Sequence, residues 1–391
     1  MAGLYLHIPF CKRRCIYCDF YSTTQDETVR RQYIEALCSE MELRRNELPG
    51  NRLDTIYIGG GTPSQLTPQE LERIFACTHS LFDVSETAEI TLEANPDDLD
   101  EAYVGALRTL PVNRISIGIQ TFDDRLLRLL HRRHSADQAR RAIERCWRHG
   151  FENISADLIY GLPGQSLDDW KQDLETMLKQ PVHHLSAYAL IYEEETMLWN
   201  MRRQHLVEEA DEELSLAMFD FLIDRTQESG WEHYEISNFC MPGFMARHNS
   251  SYWTGIPYLG CGPSAHSYNG SYRQWNRPDL ADYLKAKGDV YMRREGAEAI
   301  ATIEPADTTS RFNDCVITAL RTTWGLDLQK VASEFGKGAL HFLMECARPH
   351  LKQKTLELIA PTSEYPGGRL RLTRSGIFLS DRIMSDLLLV D

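Results

Sequence analysis

The stretch Gly3-Leu-Tyr-Leu-His-Ile-Pro-Phe-Cys-Lys-Arg-Arg-Cys-Ile-Tyr-Cys18 sets a strand-like apolar run directly in front of three thiols. Cys11, Cys15 and Cys18 can grip one metal centre from a single loop. A structural zinc site wants four protein ligands, and a cubane iron–sulfur cluster held only by cysteine also wants four. Three cysteines leave one iron open to a substrate or cofactor. With 10 cysteines in 391 residues, this spacing arises by chance in roughly one such chain in 150. A zinc reading needs a fourth ligand, and His7 is the nearest candidate. The remaining thiols (Cys38, Cys77, Cys146, Cys240, Cys261, Cys315, Cys346) are scattered singly and read as small buried apolar residues.

Working outward, the length of 391 residues exceeds a single small core and predicts two domains. A change of pattern after Asn276 places them at 1–275 and 276–391. The net charge of −15 argues against broad nucleic-acid affinity. The short basic run Lys12-Arg13-Arg14 reads in two ways, as a patch facing a negative cluster or an acidic redox partner, or as a solvated loop. No 18-residue apolar run is present, so no membrane-spanning helix is expected. The chain enters its first strand almost at once, without the pattern of a signal peptide. Free thiols then suit a reducing, cytoplasmic location.

Short apolar runs alternate with helical periodicity over the first 190 residues. Strands are expected at Leu4–Ile8, Thr55–Ile58, Glu89–Leu92, Arg114–Ile119, Ile154–Ile159 and His184–Leu190. Helices are expected at Asp26–Leu48, Pro68–Leu81, Glu101–Leu110, Ala136–Arg148 and Leu167–Lys179, with Ser135 as a cap and Gly150 as a stop. This predicts an α/β fold with a parallel sheet, open or partial because six βα units fall short of an eight-stranded barrel. In such sheets chemistry sits beyond the C-terminal strand ends. The distinctive residues fall there: the cysteine loop after strand one, Gly59-Gly-Gly-Thr-Pro63 after strand two, Glu93 ending strand three, Gln120 ending strand four, and Asp157 late in strand five. The glycine run is neither a dinucleotide fingerprint nor a P-loop, since its spacing differs and no Lys-Ser/Thr follows. It permits close backbone approach to a ligand, or simply makes a tight turn.

Residues 208–229 read as an amphipathic helix, followed by a polar and aromatic stretch to Tyr268. Helices at Ser310–Thr322, Leu328–Phe335 and Lys337–Leu351, a strand at Arg369–Thr373 and a closing segment Gly376–Leu389 suggest a mostly helical, winged-helix-like C-terminal domain.

His7-Ile-Pro-Phe-Cys11, the triple cysteine, Gly59–Pro63, Glu93-Ala-Asn-Pro96, Gly118-Ile-Gln-Thr-Phe122 and Asp157-Leu-Ile-Tyr-Gly-Leu-Pro163 together resemble the radical S-adenosylmethionine (SAM) superfamily. Within it the chain resembles the oxygen-independent coproporphyrinogen III oxidase-like family, over nearly its whole length. The resemblance implies a partial (β/α)6 barrel in which Cys11, Cys15 and Cys18 hold a [4Fe–4S] cluster. SAM would chelate the open iron and, on reduction, yield methionine and a deoxyadenosyl radical. Tyr5, Gly60 and Glu93 match family positions around that cofactor. Tyr17, Gly61, Thr62, Gln120, Arg132 and Asp157 match positions around it or around a second molecule of it.

Two branches of the family differ just after the cluster. The enzyme branch carries a further cysteine two residues past the third and a longer N-terminal segment. This chain has Cys18-Asp-Phe20 and only ten residues before Cys11. A heme chaperone branch carries Cys-Asp-Phe and a His-Asn-x-x-Tyr-Trp run, matched here by His248-Asn-Ser-Ser-Tyr-Trp253. On that resemblance His248 is a candidate axial ligand of heme iron, with Asn249, Tyr252 and Trp253 beside the porphyrin and Arg247 near a propionate. Cys261 and His266, in Gly260-Cys-Gly-Pro-Ser-Ala-His266-Ser267, are further candidates for iron. The expected function is a heme chaperone that binds heme, a [4Fe–4S] cluster and SAM, and passes heme to an acceptor hemoprotein, with a reduced protein as electron donor. The fold is expected to be competent for SAM cleavage, and no catalytic residue is assigned. The alternatives are an oxygen-independent coproporphyrinogen III dehydrogenase and another radical enzyme acting on a tetrapyrrole.

Overall fold

A computed structural model describes residues 1–24, 26–286 and 300–389. Six strands, β1 (Gly3–Ile8), β2 (Arg52–Gly60), β3 (Asp83–Ala94), β4 (Arg114–Gln120), β5 (Asn153–Tyr160) and β6 (His184–Ala189), pair in sequence order and all run parallel. Between them lie α1 (Glu27–Arg44), α2 (Pro68–Leu81), α3 (Glu101–Leu107), α4 (Asp124–Leu129), α5 (Ala136–Arg148) and α6 (Leu167–Leu178). The helices start where local chemistry dictates. Thr67 with Glu70, Ser135 with Gln138 and Ser166 with Asp169 form reciprocal capping boxes that satisfy otherwise orphaned amides.

The strand sequences alternate, and the register aligns the alternation across the sheet. Leu4, Leu6, Ile56, Ile58, Ile90, Leu92, Ile115 and Ile117 are fully or almost fully buried in the main core, on the face that carries the helices. The opposite face is polar: Tyr5 pairs with Tyr57, Tyr57 with Thr91, Thr91 with Arg114, Ser116 with Ser155, and Ser155 with His184. A closed eight-stranded barrel usually fills its interior with branched apolar side chains. Here a polar concave face is retained, and each buried polar group on it needs a partner.

The sheet is wider than the six expected strands. After α7 (Met197–Arg203) and α8 (Glu212–Glu228), β7 (Glu232–Glu235) and β8 (Asn238–Cys240) extend it antiparallel beyond β6. Helix α9 (Arg247–Thr254) then leads to β9 (Tyr258–Cys261), which pairs parallel with the other side of β1. Strands β10 (His266–Tyr268), β11 (Tyr272–Asn276) and β12 (Ala301–Pro305) continue antiparallel, giving 12 strands in one sheet. These added strands are three to five residues long and rich in Tyr, Glu and His, too short for periodicity to announce them.

The division expected at 275/276 falls inside β11. One apolar core runs from Ala2 to Ile300, including Leu280 and Tyr283 of α10 (Leu280–Lys285), and a second from Phe312 to Leu387. We propose a boundary near Ala306. The second core joins α11 (Thr308–Leu320), β13 (Leu326–Asp327), α12 (Leu328–Gln353), β14 (Leu356–Ile359), β15 (Arg369–Leu372), α13 (Arg374–Ile377) and α14 (Ser380–Asp386) around a three-stranded antiparallel sheet. Gly336, at φ 87° and ψ 166°, breaks α12 where two separate helices were expected. No helix among the described residues is long and apolar enough to cross a membrane.

Candidate functional site: the C-terminal ends of the parallel strands

The loops after β1, β2, β3 and β4 close into one ring of polar contacts. Cys11 Sγ lies 3.2 Å from Thr62 Oγ1, which accepts from Asn95 Nδ2 at 3.3 Å. Asn95 Oδ1 accepts from Arg132 Nη2 at 2.6 Å, and Arg132 Nη1 donates to Cys15 Sγ at 3.4 Å. Arg132 also donates to the Gly118 carbonyl, while its Nε has no partner. Asp98 forms an outer clasp, accepting from Lys12 Nζ at 3.1 Å, Ser64 Oγ at 2.9 Å and Arg133 Nη2 at 3.1 Å. Lys12 is thus tied into the scaffold of the cysteine loop. Sequence reasoning missed the roles of Asn95 and Asp98. Their only local signal is position, just past a strand end.

Cys11, Cys15 and Cys18 are free and partly exposed. Burial raises the Cys11 thiol above its ordinary range and pushes Cys18 up to about 12, so both hold protons until a metal displaces them. Among the described residues no set of three or more His, Cys, Asp or Glu side chains is gathered as one ion's shell. A cubane differs, since its thiolates sit on separate irons. His7, the nearest candidate for a fourth ligand, is buried, with Nδ1 3.1 Å from Tyr5 Oη and Nε2 2.9 Å from the Tyr21 carbonyl.

The glycine run after β2 is required by contact. A Cβ at Gly59 would stand 3.0 Å from the Glu93 carboxylate and 2.7 Å from the Tyr57 ring. Gly60 has φ +111°, and a Cβ there would stand 2.7 Å from the His7 ring. The Gly60 amide donates to Glu93 Oε2 at 3.1 Å, and Tyr57 Oη donates to Glu93 Oε1 at 2.6 Å. Gly61 closes the turn through its amide on the Ile8 carbonyl, at 2.8 Å. Burial pushes Glu93 up to about 7 against the Tyr57 hydrogen bond, and Asp157 adds to the shift. Asp157, 3.4 Å from Ser116 Oγ, is pushed by burial up to about 6. Two carboxyls poised near neutrality suit a cationic ligand, whose charge would draw their protons off. Gln120 adopts φ +69° beside a register shift in β4, a left-handed conformation costing on the order of 1 kcal/mol in a non-glycine residue. Tyr17, inside the cysteine loop, packs with Leu126, Leu130, Ile159 and Leu162 and so anchors that loop. Tyr5 stands one strand from Tyr57, ring centroids 6.1 Å apart.

The His-Asn-x-x-Tyr-Trp run lies elsewhere. It forms α9, a helix within the stretch that the sequence marked only as polar and aromatic. Its N-cap, Ala246, offers no side chain, so Glu89 on β3 takes that part, accepting from the Arg247 and His248 amides at 2.9 Å each. Glu89 precedes Glu93 on the same upward-running strand, so α9 seats at the opposite end of the concave face. His248 is fully buried there, stacked on Tyr57 at 5.1 Å. Its Nδ1 lies 2.8 Å from Thr55 Oγ1 and its Nε2 2.8 Å from Tyr252 Oη. Burial lowers its pKa to about 3, and Arg114 adds to this. Both ring nitrogens are therefore engaged by protein, and the ring takes the place of a structural wedge. Trp253 lies under the Arg321 guanidinium at 5.2 Å, and Asn249 is half-buried. Cys261 is buried in the main core.

A feature the sequence did not disclose pins the loop from Gly260 to Ser267. The buried pair Glu40–Arg44 of α1, 2.8 Å apart, reaches across to it. Arg44 donates to the Gly260 carbonyl at 2.8 Å and Ser267 Oγ at 2.9 Å, while Glu40 accepts from the Gly262 amide at 2.8 Å, Asn276 at 2.7 Å and Tyr283 Oη at 2.7 Å.

A sequence profile of the radical SAM superfamily matches residues 5–177. The heme chaperone HemW of Lactococcus lactis subsp. lactis (strain IL1403) is 34% identical over 389 residues, covering 99% of this chain and 97% of that protein. HemW of Bacillus subtilis (strain 168) is 31% identical over 389 residues, covering 99% of each. The solved coproporphyrinogen III oxidase HemN of Escherichia coli, a radical SAM enzyme, superposes with a TM-score of 0.81 over 99% of this chain and 89% of that one, at 21% identity, which establishes a shared fold. The chain therefore belongs to the radical SAM superfamily, within the oxygen-independent coproporphyrinogen III oxidase-like family, on its heme chaperone HemW branch.

Proposed function

We propose that this protein is a heme chaperone that binds heme, a [4Fe–4S] cluster and SAM, and passes heme to an acceptor hemoprotein. The observation that carries the reading is the end of the cysteine loop. Where the enzyme branch would have a further cysteine, this chain has Phe20, 62% exposed, while the resemblance to chaperones spans 99% of the chain.

The residues present fit the cluster and SAM. Three free thiols, a partly buried Arg132 guanidinium whose Nε–H is buried without a partner, and a glycine cradle beside a neutral-range carboxyl meet at neighbouring strand ends. When bound, a cluster with an open iron supplies a chelation site and a reducing electron. Cys11, Cys15 and Cys18 would hold it, with Arg132 beside the Cys15 thiolate to offset its negative charge. Glu93 would take the amine of SAM or a ribose hydroxyl, and the Gly59–Gly61 backbone would allow the close approach. Tyr17, Thr62, Gln120 and Asp157 would complete the walls. A reduced protein would donate the electron, and the basic run Lys12-Arg13-Arg14, exposed along its length, offers a surface for an acidic partner.

Anaerobic titration of the reconstituted protein with heme, run beside incubation with coproporphyrinogen III, SAM and a reductant, tests this. The expected outcome is saturable heme binding, transfer to an apo-hemoprotein and no protoporphyrinogen. Turnover of coproporphyrinogen III would assign the chain to the dehydrogenase instead.

A further inference from the structure

A cleft of about 570 Å³ lies between the concave face of β9–β11, the C-terminal end of α9 and the C-terminal domain at α11 and α12. It is within the size range of cofactor sites. Tyr252, Tyr258, Tyr268 and Phe335 give it aromatic walls, and Arg273 spans it to Asp314 of α11 at 2.8 Å. Arg311 and Lys330 also line it, and neither has an ion-pair partner among the described residues.

The histidines on this concave face are not equivalent. His7 and His248 have both ring nitrogens held by protein, and so does His184, bonded to Ser155 Oγ at 2.7 Å and Tyr234 Oη at 2.8 Å. His266 differs. Its ring stacks on Trp275 with centroids 5.9 Å apart, opens into the cleft, and has no hydrogen-bond partner among the described residues. Partial burial lowers its pKa, so the ring is neutral, the ligating form, at pH 7. Its backbone is meanwhile rigid. Gly260 approaches so closely that a Cβ there would overlap the His266 carbonyl, and Arg44 holds Ser267 next door. A fixed backbone carrying an unengaged imidazole is the arrangement a ligand site needs.

We propose that heme binds in this cleft with His266 as an axial ligand of its iron, the porphyrin packed on the tyrosines and its propionates met by Arg311 and Lys330. This rests on the heme-binding reading above, and it moves the ligand from His248 to His266. Imidazole is a common heme ligand, aromatic side chains pack on porphyrin faces, and Arg pairs with carboxylates.

The test is hemin titration of the full chain, followed by Soret absorbance and magnetic circular dichroism, for wild type, His266→Ala, His266→Tyr, His248→Ala and Arg311→Ala/Lys330→Ala. Thermal melts and cluster iron content screen each variant for folding. His266→Ala should bind at least ten-fold more weakly and lose the imidazole-ligated spectrum, with free imidazole restoring it. His266→Tyr should shift the spectrum towards phenolate ligation, which a merely structural role would not produce. The double charge variant should weaken hemin but leave heme dimethyl ester, which lacks free carboxylates, nearly unchanged. If His266→Ala matches wild type in affinity and spectrum while His248→Ala loses both, this assignment fails and the chaperone reading stands. If wild type binds no heme, that reading fails with it.

Discussion

The loop Cys11–Cys18 and the helix His248–Trp253 are both compact runs of ligand-type residues, yet the fold treats them oppositely. The first emerges at the C-terminal strand ends, where four loops meet and the thiols stay partly exposed. The second is drawn under the sheet by Glu89, and its histidine is sealed between Tyr57, Thr55 and Tyr252. A ligand-type side chain becomes a ligand only if its lone pair is left unspent by the protein. A thiolate sulfur carries three lone pairs, so Cys15 keeps capacity after accepting from Arg132, and the His266 ring is open, whereas both ring nitrogens of His248 are taken.

This contrast can be broken or sharpened by measurement. The largest effect is expected at the cysteine loop. Cys15→Ala should reduce reconstituted iron from about four per chain to near none, with the far-ultraviolet circular dichroism unchanged; full retention of iron would remove the loop from the cluster.

Next is the clamp on the loop bearing His266. Glu40→Ala leaves buried Arg44 with Glu47 as its remaining carboxylate and removes the acceptor of the Gly262 amide, Asn276 and Tyr283, at a cost of about 3 kcal/mol, read as a lower urea midpoint. A shift under 1 kcal/mol would mean that water or another carboxylate takes its place.

His248→Ala should cost about 2–4 kcal/mol, from the cavity left and the two broken hydrogen bonds. Apart from that loss of stability, its hemin affinity should stay within two-fold of wild type. A variant of full stability with lost heme affinity would reverse the contrast.

The smallest effect concerns Glu93. Its folded carboxyl holds a proton up to about pH 7, against an ordinary value of 4.5. Its contribution to stability is therefore complete below pH 4.5 and lost as pH rises through 7. Glu93→Gln mimics the protonated form at every pH. The variant should match wild type near pH 4 and exceed it at pH 8, by at most about 3 kcal/mol and by about 1 kcal/mol once partial exposure is allowed for. Urea midpoints of the cluster-free protein across that range check it; an advantage that grows toward low pH would contradict the shift.

Much of the barrel was legible because strands of six or more residues carry their own periodicity and because Ser135, with Gln138 three residues on, announces a helix start. The alternation Leu-Tyr-Leu-His in β1 and Thr-Ile-Tyr-Ile in β2 also encodes the polar concave face. Strands β7–β12 were not legible, since each is stable only as an addition to an existing edge. Nor was the pairing of Glu40 and Arg44 with a loop more than 200 residues away.

What the sequence by itself determined is the local chemistry: three thiols in one loop, glycines where no Cβ fits, capped helices between alternating strands, and Phe20 in place of a fourth cysteine. What only the tertiary structure decided is which of those groups remain available. Local spacing sets what a residue can bind, but burial and hydrogen-bond partners come from segments distant in sequence. They engage both nitrogens of His248 and leave those of His266 open to the cleft.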